Sequence, residues 1–114
     1  MNLVCTKKQG IGVITLSGPL TAASVEAFRE QLSVWQAEEA AVKNFVFDLS
    51  AVDFMDSAGL GSLIATLKRI TERGGDMKLA CLRKKPRMVF EITRAYKVFE
   101  IFETVDEAVE ASQK

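Results

Sequence analysis

The stretch Phe47-Asp48-Leu49-Ser50-Ala51-Val52-Asp53-Phe54-Met55-Asp56-Ser57-Ala58-Gly59-Leu60-Gly61 holds the residues best suited to chemistry. A hydroxyl, Ser57, follows a carboxylate, Asp56, where a helical pattern begins. The first turn of a helix leaves N–H donors unpaired and carries the positive end of the dipole, so it attracts anions. Gly59 and Gly61 carry no side chain, which lets another surface approach the backbone closely. The stretch lies where a buried strand gives way to a helix. In open α/β sheets the loops beyond the strand carboxyl ends are the usual functional edge. A structural reading stands beside this one. Asp56 or Ser57 is then an N-cap, and the glycines only permit tight helix–sheet packing. The residues alone leave both readings open.

Other chemistries are excluded or disfavoured. The 114 residues contain no histidine. Ser-His-Asp and Cys-His machinery is therefore absent, and most zinc sites lose their usual ligand. A nucleophilic Ser57 would have no histidine base, and the chain has no Gly-x-Ser-x-Gly elbow. The run also lacks the Gly-Lys-Ser/Thr ending of a phosphate-binding P-loop. Cys5 and Cys81 each sit in an apolar run and read as small buried hydrophobes. Neither a cofactor nor a metal is called for. Fifteen Lys plus Arg balance fifteen Asp plus Glu, so the basic excess usual in nucleic-acid modules is missing. No apolar run approaches the ~20 residues that span a bilayer, and the N-terminus lacks a signal-peptide core. The expectation is a cytoplasmic protein of one domain, residues 1–114, and a monomer.

The elements that must position Asp56 and Ser57 are legible in the pattern. Residues 3–7 and 11–16 read as a hairpin closed by Gln9-Gly10. A helix is predicted over 24–40, with Val25, Phe28, Leu32 and Trp35 on one face and Thr21 or Ser24 as its cap. Residues 44–49 form a nearly continuous apolar run, as expected of a central strand buried on both faces. The second helix covers 57–73, with Leu60, Leu63, Ile64, Leu67 and Ile70 in its apolar series and Gly74-Gly75 at its end. A strand over 77–82 is followed by a helix that Pro86 helps to open, in which Met88, Ile92 and Tyr96 share a face. A short strand at 99–102 and a helix from Thr104 to about Gln113 complete the chain. Thr104 and Glu107 match a capping box. The order β-β-α-β-α-β-α-β-α implies an α/β domain with a mixed, mostly parallel sheet, an N-terminal hairpin and about four helices.

Asp48-Leu49-Ser50 followed by Phe54-Met55-Asp56-Ser57-Ala58-Gly59-Leu60-Gly61 strongly resembles the signature of the STAS domain family of bacterial anti-sigma factor antagonists. Gly18-Pro19-Leu20 is similar to that family's Gly-x-Leu, and Phe99-Glu100-Ile101-Phe102 with Val105-Asp106-Glu107-Ala108 to its last strand and helix. The resemblance implies that Ser57 is a phosphorylation site with Asp56 as its acidic neighbour. It implies a partner surface made of Thr21, Met55, Asp56, Ser57, Ala58, Gly59, Leu60 and Gly61. The unphosphorylated form would bind an anti-sigma factor that is also a serine kinase, and the sigma factor would be released. Phosphorylation would end the complex, and a serine phosphatase would reset it. The chain would be a substrate and binding protein, not an enzyme. The alternative is a non-switching STAS subunit of a stressosome-like scaffold or a lipid-transport complex. Thr21 departs from the aspartate that commonly follows the family's Gly-x-Leu.

Phe54 is expected to be buried, with Met55 and Leu60 free to lie on either side. Arg83, Lys84, Lys85 and Arg87 form a small basic cluster. It reads either as a solvated loop and helix start or as a contact for an anion or membrane.

Overall fold

The computed structural model describes residues 1–113. The hairpin forms first in the chain: β1 (Asn2–Lys8) pairs antiparallel with β2 (Ile11–Ser17). Its two-residue turn places both Gln9 and Gly10 at positive φ, 54° and 81°. That is the turn geometry whose twist matches paired strands, and Gly10 adopts it without steric penalty.

The rest of the sheet is parallel. After α1 (Val25–Glu38), β3 (Asn44–Ala51) pairs with β2. After α2 (Ser57–Glu72), β4 (Asp76–Ala80) pairs with β3. α3 (Lys84–Thr93) and a single 3-10 turn (Ala95–Lys97) lead to the short β5 (Ile101–Phe102) beside β4. α4 (Val105–Ser112) ends the described chain. The spatial order is β1-β2-β3-β4-β5, so β3 is central. The observed element order is the one read from the sequence.

Strand periodicity distributes the core over two faces. Ile14, Leu16, Phe45, Phe47, Leu49, Met77 and Leu79 pack with Phe28 and Leu32 of α1, Leu60, Leu63 and Ile70 of α2, and Phe90 of α3. Ile11, Val13, Val46 and Ala80 point the other way and meet Ala108 and Val109 of α4. Alternation along β3 therefore buries both its faces, as its apolar run requires. Phe28, Phe47 and Phe90 are fully buried, each stabilising the fold by roughly 1.5–3 kcal/mol. Phe28 meets Phe47 edge-on at 6.1 Å, and Trp35 meets Phe45 at 6.2 Å. Trp35 is thus a half-buried lid on the core.

Lys78 interrupts the apolar alternation of β4 on the α4 side. It is buried, and its ammonium donates to Asp76 Oδ2 at 2.5 Å and Glu100 Oε1 at 2.9 Å. Burial alone would depress its pKa. The two carboxylates outweigh that effect and hold it above the usual lysine value. The Thr104–Glu107 capping box closes as the sequence implies, with both reciprocal hydrogen bonds present.

Two apolar series turn out differently from their sequence pattern. Ile64 is 39% exposed, whereas Thr66 is buried and donates its hydroxyl to the Ser62 carbonyl at 2.7 Å. Ile64 sits on the flank of the Leu60–Leu63–Leu67–Ile70 stripe, and the core has room for one flank only. In α3 the buried positions are Pro86 and Phe90, and Met88 and Ile92 face solvent.

Candidate functional site

Two loops meet at the carboxyl ends of β2 and β3. Leu20 and Met55 form a parallel bridge between them. The Leu20 N–H donates to the Phe54 carbonyl at 3.0 Å, and the Asp56 N–H donates to the Leu20 carbonyl at 3.3 Å. The register of β2 against β3 shifts between Thr15 and Ser17 just before this junction. Leu20 and Met55 themselves are buried, so the junction is anchored from below.

Asp56 locks the arrangement. It is the N-cap of α2, and its Oδ1 accepts the Gly59 N–H at 2.8 Å. Its Oδ2 accepts the Ala22 N–H at 3.1 Å, across the junction. These backbone donors, Gly59 first and then Ala22, hold the carboxyl below the usual aspartate pKa. The capping role thus falls to Asp56 and not to Ser57. Ser57 is the first residue of α2 and is exposed.

The depressed pKa has a measurable consequence. A carboxylate whose folded pKa lies below its unfolded value stabilises the fold above the unfolded value, and that contribution fades as pH falls through the folded one. Asp56→Asn is expected to lower Tm at neutral pH. The gap from wild type should close as pH falls below 3.8, the ordinary value from which Asp56 is displaced. Thermal melts of both chains between neutral and strongly acidic pH check this; a gap that widens on acidification contradicts it.

Gly59 has a structural reason to be glycine. A Cβ there would lie inside contact distance of the Leu20 carbonyl oxygen and 2.7 Å from its carbon. Gly61 is different: it is exposed, and a Cβ there would meet nothing within 4 Å. Of the two glycines, only Gly61 leaves backbone open to another surface. Thr21 is half-buried beside the junction, and its hydroxyl accepts the Ala23 N–H at 3.3 Å. Ser24 Oγ accepts the Thr21 N–H at 2.9 Å and donates to the Pro19 carbonyl, so the loop before α1 is internally tied.

The sequence-predicted site residues therefore divide. Asp56, Ser57, Ala58, Gly61 and Thr21 come together at one edge of the sheet, with Ser57, Ala58 and Gly61 exposed. Met55, Gly59 and Leu60 are buried beneath them and offer no side chain to a partner. Phe54 corrects the expectation of burial: it is 51% exposed. It follows the buried Val52 by two residues in a connection with no helical or strand period to place it. Ile64, a member of the apolar series in the sequence, is exposed as well. Ser57, Gly61 and Ile64 stand at i, i+4 and i+7, on one face of α2. That spacing is the signal that brings Ile64 into the site.

A cleft of about 220 Å³ between α1 and α2 adjoins Ala58 and is lined by Phe28, Arg29, Ser62 and Arg69 among others. Larger clefts of about 320 and 410 Å³ lie elsewhere, the first at the far end of α1 and α2 and the second beside α3. Among the described residues, no group of three His, Cys, Asp or Glu side chains is placed to hold a metal. Cys5 and Cys81 are half-buried free thiols, and burial raises the pKa of both, which disfavours the reactive thiolate. No helix among the described residues is long and apolar enough to cross a membrane.

The family model described as the STAS domain matches residues 2–108. The anti-sigma-B factor antagonist of Listeria monocytogenes is 32% identical over 88 residues, which is 77% of this chain and 75% of the relative. The anti-sigma-B factor antagonist of Bacillus subtilis is also 32% identical over 88 residues, covering 77% and 78%. The crystal structure of an anti-sigma factor antagonist from Mycobacterium paratuberculosis superposes with a TM-score of 0.86 at 25% identity, covering 99% of this chain and 94% of that one.

Proposed function

The chain belongs to the STAS domain family, and from that footing we propose that it is an anti-sigma factor antagonist controlled by phosphorylation of Ser57. The unphosphorylated chain binds an anti-sigma factor and frees the sigma factor that it held. That anti-sigma factor is also a serine kinase. It transfers the γ-phosphoryl group of ATP to Ser57 Oγ: the new P–O bond forms, the bond to ADP breaks, and the hydroxyl proton passes to a base of the kinase. The complex then separates, and a serine phosphatase hydrolyses the phosphate to restore the hydroxyl. The chain is a cytoplasmic, monomeric binding protein and a kinase substrate, and it catalyses nothing itself.

The observation that carries this proposal is the division of labour at the start of α2. Asp56 spends both carboxylate oxygens on backbone N–H groups, and Ser57 stands exposed beside it. A hydroxyl with no capping duty at a helix N-terminus can take a phosphate without unmaking the fold. Exposed Phe54, Gly61 and Ile64 around it supply the apolar part of a docking surface, with Thr21 and Ala58 at its margin. Phosphate adds about −1.5 to −2 charge to this surface, next to the ionised Asp56.

The test is phosphorylation in vitro. Incubation with the cognate anti-sigma factor kinase and ATP is expected to add one phosphate, located on Ser57 by peptide mass spectrometry, and none to Ser57→Ala. A phosphate on another residue, or none at all, contradicts the proposal.

A further inference from the structure

Residues 83–98 carry Arg83, Lys84, Lys85, Arg87, Arg94 and Lys97 against the single acid Glu91, a net +5. The chain as a whole is neutral, so the other residues hold nine bases against fourteen acids, a net −5. Positive charge is therefore concentrated in one segment of the sequence. Five of those six bases are exposed; Arg87 is half-buried and donates to the Leu82 carbonyl at 3.2 Å.

The same segment exposes its large apolar side chains. Met88 is 52% exposed, Ile92 81%, Tyr96 47% and Val98 52%. Lys84, Met88 and Ile92 lie at i, i+4 and i+8 along α3, on one outward stripe, while Pro86 and Phe90 face the core. Arg94, in the left-handed conformation at φ 60°, ends α3 and turns the chain into the 3-10 turn that carries Tyr96. None of these residues belongs to the Ser57 surface.

We propose that the outward face of α3 and the following 3-10 turn is a docking surface for the anionic headgroup layer of a phospholipid membrane. Lys84, Lys85, Arg94 and Lys97 meet lipid phosphates, and Met88, Ile92, Tyr96 and Val98 enter the interfacial layer. Apolar area combined with basic charge is the pairing by which surface-lying helices hold anionic bilayers. Tyrosine suits that layer because its ring is apolar and its hydroxyl polar. Lysine stems cover apolar surface while their ammonium groups remain with the phosphates.

An acidic peptide is the less favoured occupant. The cleft flanking α3 that could seat one is lined by Leu82, Arg87, Phe90, Glu91, Tyr96 and Ile101, so a carboxylate already faces into it. The same Glu91 is the one acid at the border of the Lys84–Met88–Ile92 stripe, outnumbered there by Lys84, Lys85, Arg94 and Lys97. Ile92, four-fifths exposed, stands proud of the surface and does not line the rim of that cleft. A fluid headgroup layer needs no such rim. The association is peripheral and reversible, and does not depend on the phosphorylation state of Ser57.

The test uses the full chain and vesicles sedimented at low salt. Vesicles rich in phosphatidylglycerol are expected to carry the wild-type chain down, and pure phosphatidylcholine vesicles to leave it in solution. Lys84→Glu/Lys85→Glu is expected to lower binding at least about tenfold. Ile92→Ser should lower it about threefold or more through lost apolar burial. Raising the salt should release the wild-type chain as the Debye length contracts. All three positions are exposed, so far-ultraviolet circular dichroism of the variants should match wild type. Equal sedimentation with both vesicle types overturns the proposal. So does binding that ignores the charge reversal and Ile92→Ser, or a face that binds acidic peptides in solution but no vesicles.

Discussion

A chain carrying Ser57→Asp is expected to melt within about 3 °C of wild type, because exposed substitutions away from packing rarely change stability by more than about 0.5 kcal/mol. The same chain is expected to bind the anti-sigma factor at least about thirtyfold more weakly. Both halves follow from one location. Ser57 is the first residue of α2, where the free N–H groups and dipole favour a negative charge in the isolated protein. In a complex the surface around Phe54, Gly61 and Ile64 loses its water, and a second charge beside Asp56 is then desolvated against a like charge. The fold gains from the charge and the interface loses by it. Calorimetric binding of the two chains, with parallel thermal melts, checks this. Unfolding of Ser57→Asp, or binding as tight as wild type, contradicts it.

The second large effect separates the two glycines of α2. Gly59→Ala is expected to destabilise the fold by about 3 kcal/mol, the upper range for overpacking, because the new Cβ meets the Leu20 carbonyl. That carbonyl accepts the Asp56 N–H and belongs to the bridge with Met55, so it cannot withdraw without opening the junction. Gly61→Ala is expected to stabilise by about 0.5–1 kcal/mol, since it meets nothing and removes a flexible residue from a helix. Urea unfolding midpoints of the two variants should therefore move in opposite directions. A Gly59→Ala midpoint at or above wild type would show that the loops are not locked together at Leu20.

Legibility in the sequence depends on the range of the forces involved. Secondary-structure order was legible because it rests on periodicity: the Gln9-Gly10 turn, the two-faced β3 and the Thr104–Glu107 box are local features. The position of Ser57 at the head of α2 was legible for the same reason. Several features of the site were not. Asp56 and Ser57 were equivalent as caps in sequence, and only the approach of Ala22 from another loop gives Asp56 its second donor. Gly59 and Gly61 look alike in sequence, and only the Leu20 carbonyl distinguishes them. Phe54 is as hydrophobic as its buried neighbour Met55, yet it points outward from a connection that has no period. Met88 and Ile92 follow helical spacing perfectly well, but the stripe they define faces away from the sheet. A hydrophobic period marks a face; contacts distant in sequence decide which face is covered.

The central claim is that Ser57 is the switch between partners. Its most direct test is the intact mass of the chain recovered from its native host, together with the protein that copurifies with wild type and with Ser57→Ala. The expected result is a fraction of wild type bearing one phosphate on Ser57, and a serine-kinase anti-sigma factor held more tightly by Ser57→Ala. A chain that carries no phosphate under any growth condition, and that copurifies with a transporter or scaffold equally well in both forms, would contradict it.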